Sequence, residues 1–471
     1  MDQQCDARET SRSERALDAL QQFVEDHRVR HKVPGREFAN FEKQLHERVM
    51  SVERELVAEE LERADADAEA VEIEGVLHRR ALRSSQEYMT AAGPVTVERT
   101  LFRDRRDPLV GSTSALDGRI GIIEGFWTPL AAQQAAWVVS QMSPQQGHEL
   151  LERMGNMAPS KAALDRLPKD LLARFEQNAE EFERVLREAT VVPKDTATIA
   201  ISLDGVLVPM VDGQAEQTRQ RAAEAGKLSK GPAGYREAGC ATISFCDAKG
   251  DMISAIRFGR MPEAKKQYLK TLLTAEVMHV WERHTNLKVI KLADGAEDNW
   301  SYLSSGELPR GPECIDFYHA AEHLNAALGH AYGEGSVKAR RRFVELRYVL
   351  QEEQGGVDEV IKALGNLARK TRNAKLKSEL GYFRNNRERM QYAQLATRGF
   401  PIGSGVVEAA CKTLVSQRLK QSGMRWSERG GQAILNLRGW AQSGRFDAAW
   451  AELAATYQME VTVVASVVRI R

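Results

Sequence analysis

Between residues 191 and 324 the apolar residues change period, and the order of the changes leaves few folds open. TATIAISLDGVLVPM (196–210) alternates, with Ile199, Ile201 and Leu203 on one face of a strand. REAGCATISFCDAKGDMISAIRFGR (236–260) reads as two strands joined by a turn at Asp247–Asp251. Residues 262–284 keep helical spacing. NLKVIKLADGAEDNW (286–300) is a strand ending at Asp294-Gly295, and PECIDFYHAAEHL (312–324) is a short strand leading into a helix. Three adjacent strands, a helix, a strand and a strand–helix unit predict a mixed α/β sheet with helices on its faces.

That order is compatible with a ribonuclease H-like core, and the flanking segments fit around it. Residues 12–82 have charges and apolar residues at helical spacing and are expected to be helices. YMTAAGPVTVERTLFR (88–103) alternates about a Gly-Pro break and predicts a β-hairpin. Gly111 to Gly125 reads as a loop-rich linker. Residues 128–176 are helical, with helix–turn–helix character in SPQQGHELLERMGNMAPSKAALDRL: Ser143 caps, Gly155 breaks and Pro159 starts the next helix. Such a helix would bring Lys161 and Arg166 to a DNA groove. Residues 177–190 form an acidic helix. Residues 325–398 lack strand signals and predict helices interrupted at Gly355-Gly356. After PIGSG, Val407, Ala410, Cys411 and Leu414 follow amphipathic helical spacing, with Ser404 as the expected cap.

The expected fold is α/β with an all-α insertion, an order compatible with a ribonuclease H-like core, behind a mainly helical N-terminal region. Its divisions are 1–110 (helical, with a hairpin), 126–190 (helix–turn–helix-like), 191–324 (first part of the core), 325–400 (insertion), 401–445 (last part of the core) and 446–471 (tail).

Composition narrows the partners. The 471 residues are 42% hydrophobic and 28% charged, ordinary for a soluble globular protein. No apolar run approaches the ~20 residues of a membrane span, and the polar start MDQQCDARETSRSER is unlike a secretory leader. Cys5, Cys240, Cys246, Cys314 and Cys411 are scattered singly, which suits a reduced, cytoplasmic setting. Net charge is zero, yet residues 335–440 hold 21 Lys and Arg against 9 Asp and Glu. Charge so divided favours a polyanion on one surface; a solvated helical face is the plainer reading for any single segment.

Asp204 and Asp294 occupy matching contexts, SLDG and LADG, each at the end of an apolar strand. Asp-Gly is a common turn dipeptide, but two such ends in one sheet place two carboxylates where α/β sheets collect ligands. Glu408 lies in the first turns of the helix after PIGSG, where it also suits the helix dipole. Two aspartates and a glutamate make a hard oxygen site suited to Mg²⁺, with Mn²⁺ as substitute. Two such ions about 3.5–4 Å apart stabilise attacking and leaving oxygens in phosphoryl transfer. Asp316 competes with Asp294 for the second ligand position.

SLDGVLV, YREAGCATISF, LADGAEDNW, CIDFYHAAEHL, PIGSGVVEAACKTLVSQRLKQSGMRW and ILNLR, over about half the chain, resemble bacterial insertion-sequence transposases of the ISKra group, relatives of the Mutator-like class. The resemblance implies DNA cleavage and strand transfer by an Asp-Asp-Glu triad at Asp204, Asp294 and Glu408, in a homo-oligomer on double-stranded DNA, nucleoid-associated. The family's Asp-x-x-His motif falls on Asp316 and His319, with His319 near the scissile phosphate. Arg425 and Trp426 fall in its GMRW signature, where they would grip phosphate and stack a base. Arg340, Arg341, Arg342, Lys412, Arg418 and Lys420 would neutralise phosphates. Many relatives have paired cysteines after the hairpin; LFRDRRDPLVGSTSALDGRIGI has none, so no structural zinc is expected.

Two other readings remain open. One is a transposase-derived DNA-binding protein without strand transfer. The other is a zinc peptidase, because HAAEH (319–323) matches the inverted zincin pattern with His319, Glu322 and His323.

Overall fold

The structure, a computed structural model, describes residues 11–30, 37–104, 106, 111–211, 221–226, 234–403 and 405–464. Two compact units emerge: Met1–Phe182 with Asp447–Arg471, and Glu183–Phe446.

The first unit opens with α1 (Arg12–Arg30) and α2 (Phe38–Ala64). The expected run of helix to residue 82 stops early. After α2 the chain is extended at Asp65, then β1 (Ala70–Ile73) and β2 (Val76–Thr90) pair about a two-residue turn. Glu74 and Gly75 both have positive φ there, the geometry of a tight hairpin. Charged residues such as His78, Arg79 and Arg80 mimic a helix surface in sequence, but sheet pairing claims them. The predicted hairpin is present and longer than expected, with β2 paired to β3 (Gly93–Arg103).

The expected linker 111–125 instead holds β4 (Thr113–Ser114) and α3 (Ala115–Ile120), the latter capped by the Ser114 side chain. Next come α4 (Pro129–Gln141), α5 (Pro144–Met154) and α6 (Lys161–Glu176). Ser143 and Gln146 form a capping box on α5, and Gly155 ends it with φ 74°. Ser160, not Pro159, starts α6 by accepting from the Ala163 amide. The unit boundary falls within α7 (Ala179–Glu188).

The second unit is built on β5 (Thr198–Pro209), β6 (Tyr235–Cys246), β7 (Met252–Arg260), α8 (Gln267–Arg283), β8 (Lys288–Ala293), α9 (Glu297–Leu303), β9 (Glu313–Ile315) and α10 (Phe317–Tyr332). The sheet order is β7-β6-β5-β8-β9. β5, β6 and β7 are antiparallel, whereas β5, β8 and β9 are parallel. The predicted mixed α/β sheet is thus present, and α9 is an element the sequence reading missed. Side chains alternate between the two faces. Ile199, Ile201 and Leu203 are fully buried in the core shared with Leu269, Leu273 and Val277 of α8. Ala200, Ser202 and Asp204 lie on the other face.

The predicted insertion is helical: α11 (Val337–Glu352), α12 (Gly356–Thr371), α13 (Ala374–Asn385) and α14 (Tyr392–Thr397). Leu350, Leu364, Leu376 and Phe383 join the core of the sheet. Arg389 ties it further, donating to Glu313 at 2.7 Å with its guanidinium 4.2 Å from the Trp300 ring centroid.

α15 (Gly405–Ala410) then runs without a break into a π-helical segment, Cys411–Ser416, and closes at Gln417–Leu419. Val407, Ala410, Cys411 and Leu414 are buried as their spacing predicts, against Val208, Ala238 and Cys240 of the sheet. Ser404 lies outside the described residues. α16 (Glu428–Gln442) completes this layer. The segment expected as a tail holds α17 (Phe446–Ala455) and β10 (Val461–Val463); β10 pairs with β1, giving the first unit's sheet the order β10-β1-β2-β3-β4. Among the described residues no helix is long and apolar enough to cross a membrane.

Candidate active site

Two aspartates meet where parallel pairing stops. β5 and β8 stay in register to Ser202 opposite Leu292. Asp204, within β5, and Asp294, just past the end of β8, each stand two residues beyond that pair, at the same end of the sheet. β5 continues beyond that point paired only to β6, with Asp204 opposite Cys240. The carboxyl ends of parallel strands are where α/β sheets bind ligands.

Each carboxylate is held by short-range contacts. Asp204 Oδ1 accepts from the Gly205 amide at 2.6 Å and Oδ2 from the Cys411 thiol at 3.3 Å. Asp294 Oδ1 accepts from the Ala296 amide and from Asn299 Nδ2, both at 3.1 Å. Its carbonyl accepts from Trp300 Nε1 at 2.6 Å. Neither aspartate forms an ion pair among the described residues. Lys266 is the cation in range, but its ammonium contacts Glu237 at 2.6 Å and Asn299 at 3.4 Å. Burial raises the pKa of Asp204 above the usual carboxylate range, and the charge of Asp294 adds to the rise; the Gly205 and Cys411 hydrogen bonds and Lys266 oppose it.

The helical insertion closes one side. A Cβ on Gly295 would sit 2.4 Å from a ring carbon of Tyr382, so only glycine permits that approach. The Tyr382 hydroxyl is buried without a hydrogen-bond partner; burial and the charges of Asp294, Asp316 and Glu379 keep it protonated. Its ring stacks on His323 with centroids 3.7 Å apart, and His323 Nδ1 meets Glu379 at 2.7 Å.

Glu408 is exposed on α15, one helical turn before Cys411. Three residues along a helix share a face, so Glu408 lies on the side from which Cys411 reaches Asp204. The π-helical segment begins at Cys411, and such segments often mark functional sites. Among the described residues no three His, Cys, Asp or Glu side chains gather closely enough to cage a metal ion. The two aspartates are brought together; Glu408 stands apart on its helix. The donor set itself suits a hard cation: two facing carboxylates, one with a raised pKa, and no neutralising guanidinium or ammonium ion-paired to either.

Asp316 is 2% exposed and serves as the N-cap of α10, accepting from the His319 amide at 2.9 Å. Its own amide donates to the Ala293 carbonyl at 2.9 Å, which puts it beside Asp294. The His319 side chain is exposed. Of the zincin-like residues, Glu322 is exposed and His323 is engaged with Glu379.

The expected phosphate contacts divide. Lys161, Arg166, Arg340, Lys412, Lys420 and Arg425 are exposed. Arg341 and Arg342 both pair with Glu345, at 3.3 and 2.8 Å. Arg418 corrects the expectation: it is 1% exposed, with its guanidinium 5.1 Å from the Trp426 ring centroid, so it braces the turn rather than meeting phosphate. Trp426 is likewise taken up in packing. Its Nε1 donates to the Leu419 carbonyl at 3.0 Å, and its backbone bridges to Pro209 and Val211. Base stacking by Trp426 is therefore withdrawn.

Sequence reasoning missed Cys240, Cys411, Asn299, Lys266 and Tyr382 as neighbours of the aspartates. Asn299 had a signal, lying five residues after Asp294 in LADGAEDNW. Tyr382 had none, since nothing local links it to Gly295. No family model matches the chain, and no curated protein matches its sequence.

Proposed function

We propose that this chain is a DNA transposase that cleaves at the ends of its own element and transfers the freed strand into target DNA. The observation that supports it most is the facing pair Asp204 and Asp294, which have no ion-pair partner where two parallel strands diverge. A fold seldom keeps such a pair for stability alone, because like charges with partial burial cost free energy. The strand order β7-β6-β5-β8-β9, with three antiparallel strands followed by two parallel ones, supports a ribonuclease H-like core.

Asp204 and Asp294 would hold Mg²⁺, with Glu408 approaching from α15. Bound there, the cation would polarise a phosphodiester and lower the pKa of water. The half-buried position of Asp294 supports it over Asp316, whose carboxylate is spent on capping α10. In cleavage, a water oxygen attacks phosphorus, the bond to the 3′ oxygen breaks, and that oxygen leaves as a hydroxyl while the attacking water loses a proton. In strand transfer the same hydroxyl attacks a target phosphodiester and loses its proton, while the target's bond to its 3′ oxygen breaks and that oxygen leaves as a hydroxyl. Exposed Lys412, Lys420 and Arg425 follow α15 and would track the phosphates.

The test is incubation of the protein with Mg²⁺ and DNA bearing the ends that flank its gene, with products resolved strand by strand. Ends cut to 3′ hydroxyls, and joined products, are expected. Binding without either product would select the DNA-binding reading instead.

A further inference from the structure

The sheet face that presents Asp204 continues into a second feature. A cavity of about 550 Å³ lies over it, between β5, β6 and the loop preceding α15. Its volume falls in the ordinary range for a small-molecule site. Ser202 and Ser244 form part of its floor, each 2% exposed. No hydrogen bond to either hydroxyl occurs among the described residues. Thr198 and Thr242 on the same face are fully buried, and their hydroxyls also lack a partner. A core position beneath a covering loop ordinarily takes Val or Ile; small hydroxyl side chains leave both space and unmet hydrogen-bonding capacity.

The rest of the lining is mixed, with Asp251 and Gln351 beside Phe317, Tyr318 and Phe400. Phe317 and Phe400 are almost fully buried there, whereas Tyr318 is 56% exposed at the mouth. Lys249 lies exposed on the rim. The wall is braced from behind: a Cβ on Gly399 would lie 2.2 Å from the Ala248 carbonyl oxygen, so the loop rests directly on the β6–β7 turn. Ser202 is two residues from Asp204 along an extended strand, roughly 6.6 Å.

We infer that this cavity receives one unpaired nucleobase of the DNA strand being processed, an inference that rests on the DNA reading above. The exposed Tyr318 ring takes the face of a base, floor hydroxyls meet its polar edge, and Lys249 meets an adjoining phosphate. Because the cavity and Asp204 share one face, a base drawn into it anchors the neighbouring phosphodiester at the aspartates.

The probes are a fully paired duplex, the same duplex with one unpaired 2-aminopurine, and free 2-aminopurine deoxyribonucleoside 5′-monophosphate. Anisotropy reports binding and 2-aminopurine emission reports stacking. The wild-type protein should prefer the duplex with the unpaired base and quench its emission. Ser244→Val, which fills the floor, and Tyr318→Ala, at an exposed site, should each lose the quench. Each should weaken that complex roughly tenfold, as loss of one stacking or edge contact does, and leave paired-duplex affinity and melting temperature unchanged. Equal affinity for both duplexes without quenching overturns the inference and leaves the DNA reading intact. Quenching of the free nucleotide but not of the duplex overturns it in favour of a mononucleotide site. No binding of either duplex overturns both.

Discussion

Both units are built on five-stranded sheets, and Asp65 and Asp117 of the first are held differently from Asp204 and Asp294 of the second. In the first unit Asp117 pairs with Arg99 and accepts from the Tyr88 hydroxyl at 2.5 Å. Asp65 accepts from the Thr100 amide at 3.0 Å and its hydroxyl at 2.8 Å, with Arg83 at 3.9 Å. Every one of these contacts lowers the cost of burying charge. In the second unit Asp204 and Asp294 face each other with hydrogen bonds but no ion pair, and the pKa of Asp204 is raised. The sheet of the first unit is antiparallel throughout. The mixed sheet of the second has a parallel pair whose ends part, and the unneutralised carboxylates stand there. Under the proposed function, the uncompensated charge where the strands part marks the unit that would do the chemistry.

The largest effect expected from this contrast is catalytic. Asp204→Asn and Asp294→Asn should each reduce strand cleavage by about a thousandfold, with unchanged circular dichroism; cleavage within a few-fold of wild type would remove the aspartates from the site. Asp117→Ala comes next and acts on folding instead. It strands Arg99 and should cost about 3 kcal/mol in urea unfolding of the first unit. A near-neutral result would erase the contrast between the sheets.

Glu408→Gln should lower cleavage about a hundredfold while leaving melting temperature unchanged, because Glu408 is exposed on α15. Lost stability with intact cleavage would reduce it to a helix-terminal charge. The smallest effect is on stability without a cation. Asp204 has a raised folded-state pKa, so its contribution is most favourable at low pH and is lost as pH rises through that pKa. Asp204→Asn should therefore melt above wild type at neutral to mildly alkaline pH, and the difference should shrink in acid. Melting curves across pH check the sign.

The second unit was legible because its strands are apolar runs bounded by turn residues, although β5 runs on past Asp204 and only Asp294 stands at a strand end. β6, β7 and the hairpin about the Gly93-Pro94 break lie where strands were expected. The first sheet was partly hidden, since β2 is dense in charge and reads as helix until the Glu74-Gly75 turn is recognised. Arg418 and Trp426 misled for a related reason. Charge and aromaticity suggest a surface that meets DNA, yet stacking of one on the other buries the guanidinium. Contacts made by the insertion, such as Tyr382 on Gly295, join residues 87 positions apart and leave no local trace.

The most direct measurement is a Mg²⁺ titration of melting temperature for wild type, Asp204→Asn and Asp294→Asn. A ligand held only by the folded protein adds about 2.7 kcal/mol at a hundredfold excess over its Kd. The predicted result is a rise for wild type that saturates and is absent from both variants. An equal rise in all three proteins, or none in wild type, would contradict a cation site at the facing aspartates.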